Sequence, residues 1–416
     1  MLLTRKIKHR WQKILLFFSI IGPGIITSIA DNDAGGIATY SVAGSHFGYN
    51  LLWLLSFMIA AMVIIQEMSA RLGTVSGKGL ADLIRENFGL GWTVLAIVTL
   101  LVANISVTIS EFAGIAASFE LFGLSKYIFV PLIAFLIWFL VVKVPSYKTV
   151  ERIFLATCCI SITYIIAGII AKPDWGQAAH KIIYPTIILD HKYVFTAIAI
   201  IGTTITPWMQ FYLQASIVDK GTLVKNYSYI RLDVIIGSLA TGIVAFFIIV
   251  TSAATLFPQG IKIDSASQAA MALAPLAGNF SRYLFSVGLF SSSVIGAFIL
   301  PLTTAYAFCE ALGFERGVSR DFSSAPVFFS IYTAMIIIGA GTILWPNLPL
   351  FFVMLIAQTI NGILLPVILL FMLLLINKKE IMGKYINGPI YNTITTATIM
   401  VIILFTVVFL FASFLP

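Results

Sequence analysis

The sequence predicts an all-α polytopic membrane protein with about eleven transmembrane helices. Of its 416 residues, 60% are hydrophobic and 10% are charged, whereas soluble proteins carry about 25% charged residues. Apolar runs long enough to cross about 30 Å of hydrocarbon recur along the chain. They lie near residues 13–45, 50–72, 92–122, 126–144, 151–171, 192–218, 229–257, 282–312, 326–345, 348–376 and 390–414.

The distribution of basic residues supports this count of spans. If the N-terminus lies in the cytoplasm, 19 of the 25 Lys and Arg residues fall in cytoplasmic segments and 6 fall outside. The positive-inside rule requires such a bias, and one missed or additional span would scramble it from that point onward. We therefore expect a multi-pass protein of the plasma membrane with a cytoplasmic N-terminus and an external C-terminus.

Other features of the composition exclude several classes of protein. The net charge of +8 is spread between the spans, so it does not indicate nucleic-acid binding. Cys158, Cys159 and Cys309 all lie in apolar spans, which gives neither a disulfide framework nor a metal-thiolate spacing. The basic stretch Arg5–Lys13 and the following apolar run also resemble a cleaved signal peptide. Because apolar character resumes after Ala30, an uncleaved first span is the simpler interpretation.

The first span carries charged residues where the bilayer centre is expected. Asp31, Asn32 and Asp33 are followed by Gly35 and Gly36, which are poor helix formers, so we expect the helix to break at the glycine pair. A carboxylate at membrane depth normally faces a cavity, a partner or an ion. The break therefore predicts a cation site with Asp33 as its anchor, although Asp33 as a simple helix cap is an alternative. Asp31 either lines an entrance or hydrogen-bonds to the backbone.

A second break is predicted in the sixth span, at Thr203–Trp208. Pro207 has no N–H, so the carbonyl of Thr203, four residues earlier, loses its helical partner. The hydroxyls of Thr203, Thr204 and Thr206 lie beside that carbonyl. The alternative is a simple proline kink in which the threonines bond back to their own helix.

The positions of the two breaks predict the architecture. Breaks in the first and sixth spans are typical of transporters built from two inverted five-helix repeats, with the substrate site near the bilayer midplane. We expect a cytoplasmic N-terminus (1–12), a first repeat (13–171), an external connection (172–191), a second repeat (192–376), and a loop with an eleventh helix (377–416).

At these residues the chain resembles the Nramp family of divalent-metal transporters, over nearly its whole length. That family carries Gly-Pro-Gly and Asp-Pro-Gly-Asn in its first helix, Met-Pro-His in its sixth, and a metal-facing glutamine in its tenth. The matching segments here are Gly22–Gly24, Asp33–Gly36, Thr206–Trp208, Gln66–Gly73, Glu111–Gly114 and Gln358. The resemblance implies an amino-acid-permease-like (LeuT-type) 5+5 inverted repeat with helices 1 and 6 broken.

Where the chain departs from the family pattern, its residues resemble those of the Nramp-related magnesium transporters, a bacterial branch of the family. Gly36 replaces a ligand Asn, Thr206 replaces a Met, Trp208 and Gln214 replace two histidines, and Thr108 replaces an Asp associated with proton movement. The resemblance implies that four residues form the metal site: Asp33, the Thr203 carbonyl, Thr206 and Gln358. It leaves Asp31, Gly36, Glu111, Thr108 and Trp208 as candidates for a vestibule or pathway.

The chemistry of these residues agrees with a hard cation. Mg²⁺ prefers oxygen ligands in near-octahedral geometry and releases water reluctantly, and Gly36 leaves room for that water. Thr206 lacks the sulfur that favours later transition metals. Thr108 and Glu111 share one helical face with Asn104, where Glu111 serves either a proton path or a structural hydrogen bond. Trp208 is either a gate or a packing residue.

We therefore predict uptake of Mg²⁺, with Mn²⁺ also admitted, through a largely hydrated site and without proton coupling. The expected partners are the divalent metal ion and the lipid bilayer, with no cofactor, no nucleic acid and no obligate protein partner evident. The main alternative is a proton-coupled Mn²⁺/Fe²⁺ importer of the Nramp type, and a broader one is an organic-solute symporter whose acidic site binds Na⁺. An intramembrane hydrolase is disfavoured because the sequence has no GxSxG or HExxH motif.

Overall fold

The computed structural model describes residues 24, 27–28, 31–143, 162–188, 190–318 and 320–412. Within these ranges the chain forms α-helices, short 3₁₀ helices and connecting turns, with no β-strand. The segment Gly22–Pro23, the N-terminal basic stretch, Cys158 and Cys159 lie outside the described residues.

The helices follow one another with short connections. In chain order they are α1 (Ala34–Phe47), α2 (Leu52–Ser76), α3 (Leu80–Phe88), α4 (Leu90–Leu121), α5 (Lys126–Lys143), α6 (Ile162–Ile170), α7 (Trp175–Ile183), α8 (His191–Thr204), α9 (Pro207–Asp219), α10 (Tyr227–Thr255), α11 (Ser281–Leu312), α12 (Pro326–Ile343), α13 (Leu350–Ile376) and α14 (Pro389–Ala412). Single turns fill the connections at Val224–Asn226, Phe257–Gln259, Ala266–Ala270, Met271–Leu273, Ala274–Ala277, Gly278–Phe280, Lys379–Met382 and Gly383–Tyr385.

These helices agree with the spans predicted from hydropathy. Nine segments of the described chain are long and apolar enough to cross a membrane, with α8 and α9 together forming one of them. Helices α1 and α6 belong to the first and fifth predicted spans, whose other residues are mostly outside the described ranges. Large apolar side chains such as Ile128, Ile337 and Phe411 are exposed on the outer faces, as expected for a surface in contact with lipid.

The centre of the bundle depends on close contact between helix backbones. A Cβ atom at Gly202 of α8 would lie 2.0 Å from the Gln358 carbonyl oxygen of α13. A Cβ atom at Gly362 of α13 would lie 2.4 Å from the Ile198 carbonyl oxygen of α8. Glycine at both positions therefore lets α8 and α13 touch, which brings Gln358 beside the break between α8 and α9.

Candidate functional site

The first break lies at Asp31–Asp33, before the glycine pair. The Asp31 N–H donates to the Ser28 carbonyl at 3.3 Å, and Asn32 forms a bend. Asp33 then caps α1, because its Oδ1 accepts the Gly36 N–H at 2.5 Å. A side-chain oxygen that satisfies a free N–H of the first turn favours the start of a helix at that point.

This geometry corrects the expectation that the glycine pair breaks the helix. Gly35 and Gly36 lie within the first turn of α1 and have no positive φ angle. Their role is to allow close approach, since a Cβ atom at Gly35 would lie 2.1 Å from Gln358 Nε2. The helix starts where Asp33 can cap it. The contact of Asp33 with the backbone is therefore that of a helix cap, as the alternative interpretation of this residue expected.

The second break lies where Pro207 predicted it. Helix α8 ends at Thr204 and α9 begins at Pro207, and Ile205 and Thr206 between them have extended backbone. The Ile205 N–H donates to the Ile201 carbonyl at 3.2 Å, while Pro207 has no N–H for the Thr203 carbonyl. The connection therefore leaves the Thr203 carbonyl oxygen without its helical partner in the middle of the bundle.

Gly36 lies at the point where the two breaks meet. A Cβ atom built on Gly36 would lie 3.1 Å from Thr203 Oγ1, 3.2 Å from the Asp31 carbonyl oxygen and 3.2 Å from Asp33 Oδ1. Three oxygen atoms from two helix breaks thus lie close together beside this glycine. A side chain at position 36 would press against all three of them.

Gln358 reaches this junction from α13 and holds the Asp33 carboxylate. Its Nε2 donates to Asp33 Oδ1 at 3.1 Å and to Oδ2 at 3.0 Å. Its Oε1 accepts from Asn361 Nδ2 at 2.9 Å, which fixes the orientation of the amide. In this conformation Gln358 therefore positions the carboxylate, and direct coordination of a cation requires the amide to turn its oxygen toward the junction.

Asp31 adds a second buried carboxylate to the site. Its side chain is 1% exposed, and neither carboxylate oxygen has a hydrogen-bond partner in the described part of the chain. Asp33, also buried, is close enough to repel it electrostatically. A buried carboxylate without a partner is strongly unfavourable unless a cation or a proton compensates it.

Glu111 of α4 packs directly behind the first break. Its Oε2 accepts the Ala34 N–H at 3.3 Å, its Oε1 has no hydrogen-bond partner among the described residues, and the Asp33 carboxylate is close enough to repel it electrostatically. Gly296 of α11 lies against it, where a Cβ atom would be 2.4 Å from Glu111 Cδ. Two neighbouring buried carboxyl groups disfavour each other's ionised forms, so Glu111 belongs to the electrostatics of the site.

The remaining candidates, Thr108, Trp208 and Thr206, have different surroundings. Thr108 Oγ1 bonds back to the Asn104 carbonyl at 2.7 Å, so its hydroxyl serves its own helix. The Trp208 ring is buried and packs edge-on against Tyr212, with 6.1 Å between ring centroids. Thr206 is at the second break, where its buried Oγ1 has no hydrogen-bond partner among the described residues.

The donors at the junction are mostly oxygen atoms, and acidic side chains are few. Within the described ranges, no three His, Cys, Asp or Glu side chains are arranged so that they could hold a metal ion together. The sequence analysis did not identify Asn361 or Tyr40, whose hydroxyl lies 3.0 Å from Thr204 Oγ1 and ties α1 to α8. Asn361 lies three residues after Gln358, so the two side chains share one face of the same helix. That spacing could have indicated from the sequence that Asn361 is a neighbour of Gln358.

Two interrupted helices that meet inside an apolar bundle, with buried carboxylates, the Asp31 carbonyl and the Thr203 hydroxyl at their junction, are typical of a membrane transporter. The chain belongs to the Nramp family: the model of that family, described as natural resistance-associated macrophage protein-like, matches residues 24–412.

Individual relatives agree with this assignment. The chain is 24% identical over 408 residues to the divalent metal cation transporter MntH of Caldanaerobacter subterraneus subsp. tengcongensis, covering 93% of both proteins. Its fold matches the crystal structure of the Eremococcus coleocola manganese transporter in complex with an aromatic bis-isothiourea substituted compound. The TM-score is 0.79 at 18% identity, over 96% of this chain and 87% of the other.

A more distant fold match is MhsT in complex with L-phenylalanine, with a TM-score of 0.58 at 13% identity, over 94% of this chain and 98% of the other. The LeuT-type fold class and the family resemblance are therefore confirmed. The relatives are named as transporters, so the chain is a transporter and not an enzyme.

Proposed function

We propose that this protein carries divalent metal cations across the membrane, with Mg²⁺ as the main substrate and Mn²⁺ also admitted. The observation that carries the proposal is the convergence of Asp33, the Asp31 carbonyl and Thr203 on the space beside Gly36. The names of its relatives, a divalent metal cation transporter and a manganese transporter, support the general class of substrate.

The chemistry of the donors favours a hard cation. Carboxylate, carbonyl, hydroxyl and amide oxygens suit Mg²⁺, Ca²⁺ and Mn²⁺, whereas thioether sulfur favours later transition metals. Thr206 at the second break offers a hydroxyl where the family pattern has Met, and its Oγ1 is buried without a partner among the described residues. We therefore assign the preference for Mg²⁺ to the absence of sulfur at this position.

The size of the site favours an ion that keeps part of its water. Mg²⁺ is bound in proteins by one or two carboxylates while several waters stay in place. Gly36 places no side chain between Asp33 Oδ1 and Thr203 Oγ1, to which a Cβ atom there would approach within 3.2 and 3.1 Å. In this proposal Asp33 binds the ion directly, and the Thr203 carbonyl, Thr206 and Gln358 contact it through water.

The vestibule candidates receive different roles. Asp31 raises the local concentration of cations through its unpaired carboxylate, and Gly36 provides space. Glu111 holds the first turn of α1 through the Ala34 N–H. Thr108 and Trp208 are packing residues in this proposal.

We propose transport without stoichiometric proton movement. A proton that crosses together with the metal ion needs a side chain that titrates near neutral pH. Thr108, Trp208 and Gln214 have no such side chain. Two charges crossing ~100 mV of membrane potential supply about 4 to 5 kcal/mol, so uptake needs no second driving ion. The ion's own gradient and the membrane potential drive it.

Proton-coupled Mn²⁺ transport is the second candidate function. The nearness of the buried Glu111 carboxyl group to Asp33 favours it, because a cation that arrives at Asp33 would repel a proton held on Glu111. The two candidates differ in whether that proton leaves with each ion.

The proposal places the protein in the plasma membrane with its N-terminus in the cytoplasm and its C-terminus outside. The excess of Lys and Arg in the segments that then face the cytoplasm supports this orientation. We assign residues 13–171 and 192–376 to the two inverted repeats, each beginning with a broken helix.

Cation competition in liposomes that contain the purified protein tests the proposal. Mg²⁺ entry is followed with an enclosed indicator while Mn²⁺ or Cd²⁺ is added outside. We expect Mg²⁺ to enter, Mn²⁺ to compete and Asp33→Asn to prevent both. Entry of Mn²⁺ with no entry of Mg²⁺ would overturn the assignment of the substrate.

A further inference from the structure

A cavity of about 300 Å³ opens where α1, α10 and the connection between α6 and α8 meet. Three segments line it: residues 47–50 at the end of α1, residues 253–258 at the end of α10, and residues 172–181 of the connection. Asp33 caps the other end of α1, and the 14 residues of that helix separate the two by about 20 Å. The cavity is therefore distinct from the candidate metal site.

The polar rim of this cavity is basic. Lys172 and Lys181 line it together with one acid, Asp174. No ion pair formed within the described ranges includes either lysine. Lys181 Nζ donates one hydrogen bond, to Thr186 Oγ1 at 2.8 Å, and the Asp174 carboxylate accepts the Gln177 N–H at 2.9 Å as the cap of α7. The rim therefore carries a net positive charge, which an anion complements.

The residues around the rim place it at the level of lipid headgroups. Ile169 and Ile170, the last residues of α6, are 57% and 43% exposed, as expected for side chains that face lipid. Lys172 follows two residues later, and the exposed Trp175 begins α7. Lysine and tryptophan are typical of the zone where a membrane meets water. The cavity therefore lies where the phosphate groups of lipids are expected.

One wall of the cavity is apolar. Phe47, Phe257 and Pro258 contribute to it, and Phe257 is 47% exposed. An inorganic anion would use only the lysines and leave this wall in water. A phospholipid would use both parts, because its phosphate is charged while its acyl chains are apolar. The combination of a basic rim with an apolar wall therefore favours a lipid over a soluble anion.

We propose that this cavity binds the headgroup of an anionic phospholipid, with Lys172 and Lys181 on the phosphate and Phe257 beside the first carbons of the acyl chains. Lys181 keeps its bond to Thr186, since an ammonium group has three donors. In the proposed orientation the lipid belongs to the outer leaflet. One lipid would contact the connection and the ends of both α1 and α10, so it fastens these three segments together and stabilises the folded protein.

Lipid retention and thermal unfolding of the purified protein test the site. Phosphatidylglycerol, phosphatidylcholine or inorganic phosphate is added to delipidated protein in detergent, and the bound lipid is counted by native mass spectrometry. We expect phosphatidylglycerol to remain bound and to raise the unfolding temperature. Phosphatidylcholine and inorganic phosphate should have much smaller effects, because the first has no net charge and the second does not use the apolar wall.

Three variants locate the lipid. Lys172→Gln with Lys181→Gln should weaken phosphatidylglycerol binding about tenfold, which corresponds to about 1.4 kcal/mol. Lys192→Gln with Lys262→Gln is the matched control, because it removes the same charge from two exposed lysines that do not line the cavity. Asp174→Asn keeps a good helix cap and removes the negative charge from the rim, so it should bind the lipid severalfold more tightly.

The outcomes decide between a site, a soluble anion and general charge attraction. Unchanged phosphatidylglycerol binding in the Lys172 and Lys181 variant, or an equal loss in the Lys192 and Lys262 control, would overturn the site. Equal stabilisation by inorganic phosphate would overturn the lipid as its occupant. Because these measurements require no transport, their result is independent of whether the protein carries Mg²⁺.

Discussion

We expect the substitution Gly36→Ala, which adds a single methyl group, to impair transport while it leaves the stability of the protein nearly unchanged. In Gly36→Ala the new Cβ atom lies 3.1 Å from Thr203 Oγ1 and 3.2 Å from both the Asp31 carbonyl and Asp33 Oδ1. These contacts are a few tenths of an ångström tighter than usual, so the neighbouring oxygens must shift slightly. The methyl group occupies the space where we place water of the bound ion.

We expect Gly36→Ala to have two effects, a small one on the stability of the fold and a larger, unfavourable one on Mg²⁺ binding. Alanine stabilises a helix by about 0.5 to 1 kcal/mol relative to glycine, and this gain offsets the tight contacts, so we expect stability to change by less than about 1 kcal/mol. Loss of one water-mediated contact of about 1.4 kcal/mol weakens Mg²⁺ binding about tenfold. Transport should therefore decline while the folded protein remains.

The assay compares initial Mg²⁺ entry and thermal unfolding for Gly36→Ala and Gly91→Ala. Gly91 also lies in the first turn of a helix, α4, and a Cβ atom there would have no neighbour within 4 Å. We expect normal flux in the control and an increased half-saturating Mg²⁺ concentration in Gly36→Ala. An unchanged concentration in a correctly folded Gly36→Ala would refute the argument that the space beside Gly36 holds water of the ion.

Three further changes test separate parts of the account. Asp33→Asn should abolish Mg²⁺ entry without unfolding the protein, because Asn also caps helices well; near-normal entry in a monodisperse sample would remove Asp33 from the site. Thr206→Met with Gly36→Asn should shift competition from Mg²⁺ toward Mn²⁺ or Cd²⁺, because the pair adds a sulfur and an amide; an unchanged order of preference would place selectivity elsewhere. Glu111→Gln keeps an acceptor for the Ala34 N–H, so Mg²⁺ entry should persist with an unchanged pH profile, and a lost pH dependence would instead favour proton coupling.

The helices and the second break could be predicted because local chemistry decides them. The lengths of the apolar runs gave the spans, and α10 at Tyr227–Thr255 begins two residues from its predicted start. A proline removes a backbone hydrogen-bond donor wherever it occurs in a helix. Pro207 alone was therefore enough to predict the second break. In the first helix, by contrast, the poor helix propensity of Gly35 and Gly36 competed with capping by Asp33, and capping determined where α1 begins.

The contacts between helices could not be predicted in the same way. The approach of Glu111 to Ala34 depends on how α4 is rotated against α1, and nothing in either segment specifies that rotation. The amide of Gln358 reaches Asp33 because Gly35 and Gly202 allow α13 to come close, which is again a property of the packed bundle.

The most direct test of the central claim records Mg²⁺ and pH together inside the same liposomes. The purified protein is reconstituted, an inside-negative potential is imposed, and external Mg²⁺ is added with and without a pH gradient, using Asp33→Asn as the inactive control. The account predicts Mg²⁺ entry that follows the potential, leaves the internal pH unchanged and does not respond to the pH gradient. Internal acidification in proportion to Mg²⁺ entry, absent in Asp33→Asn, would contradict it.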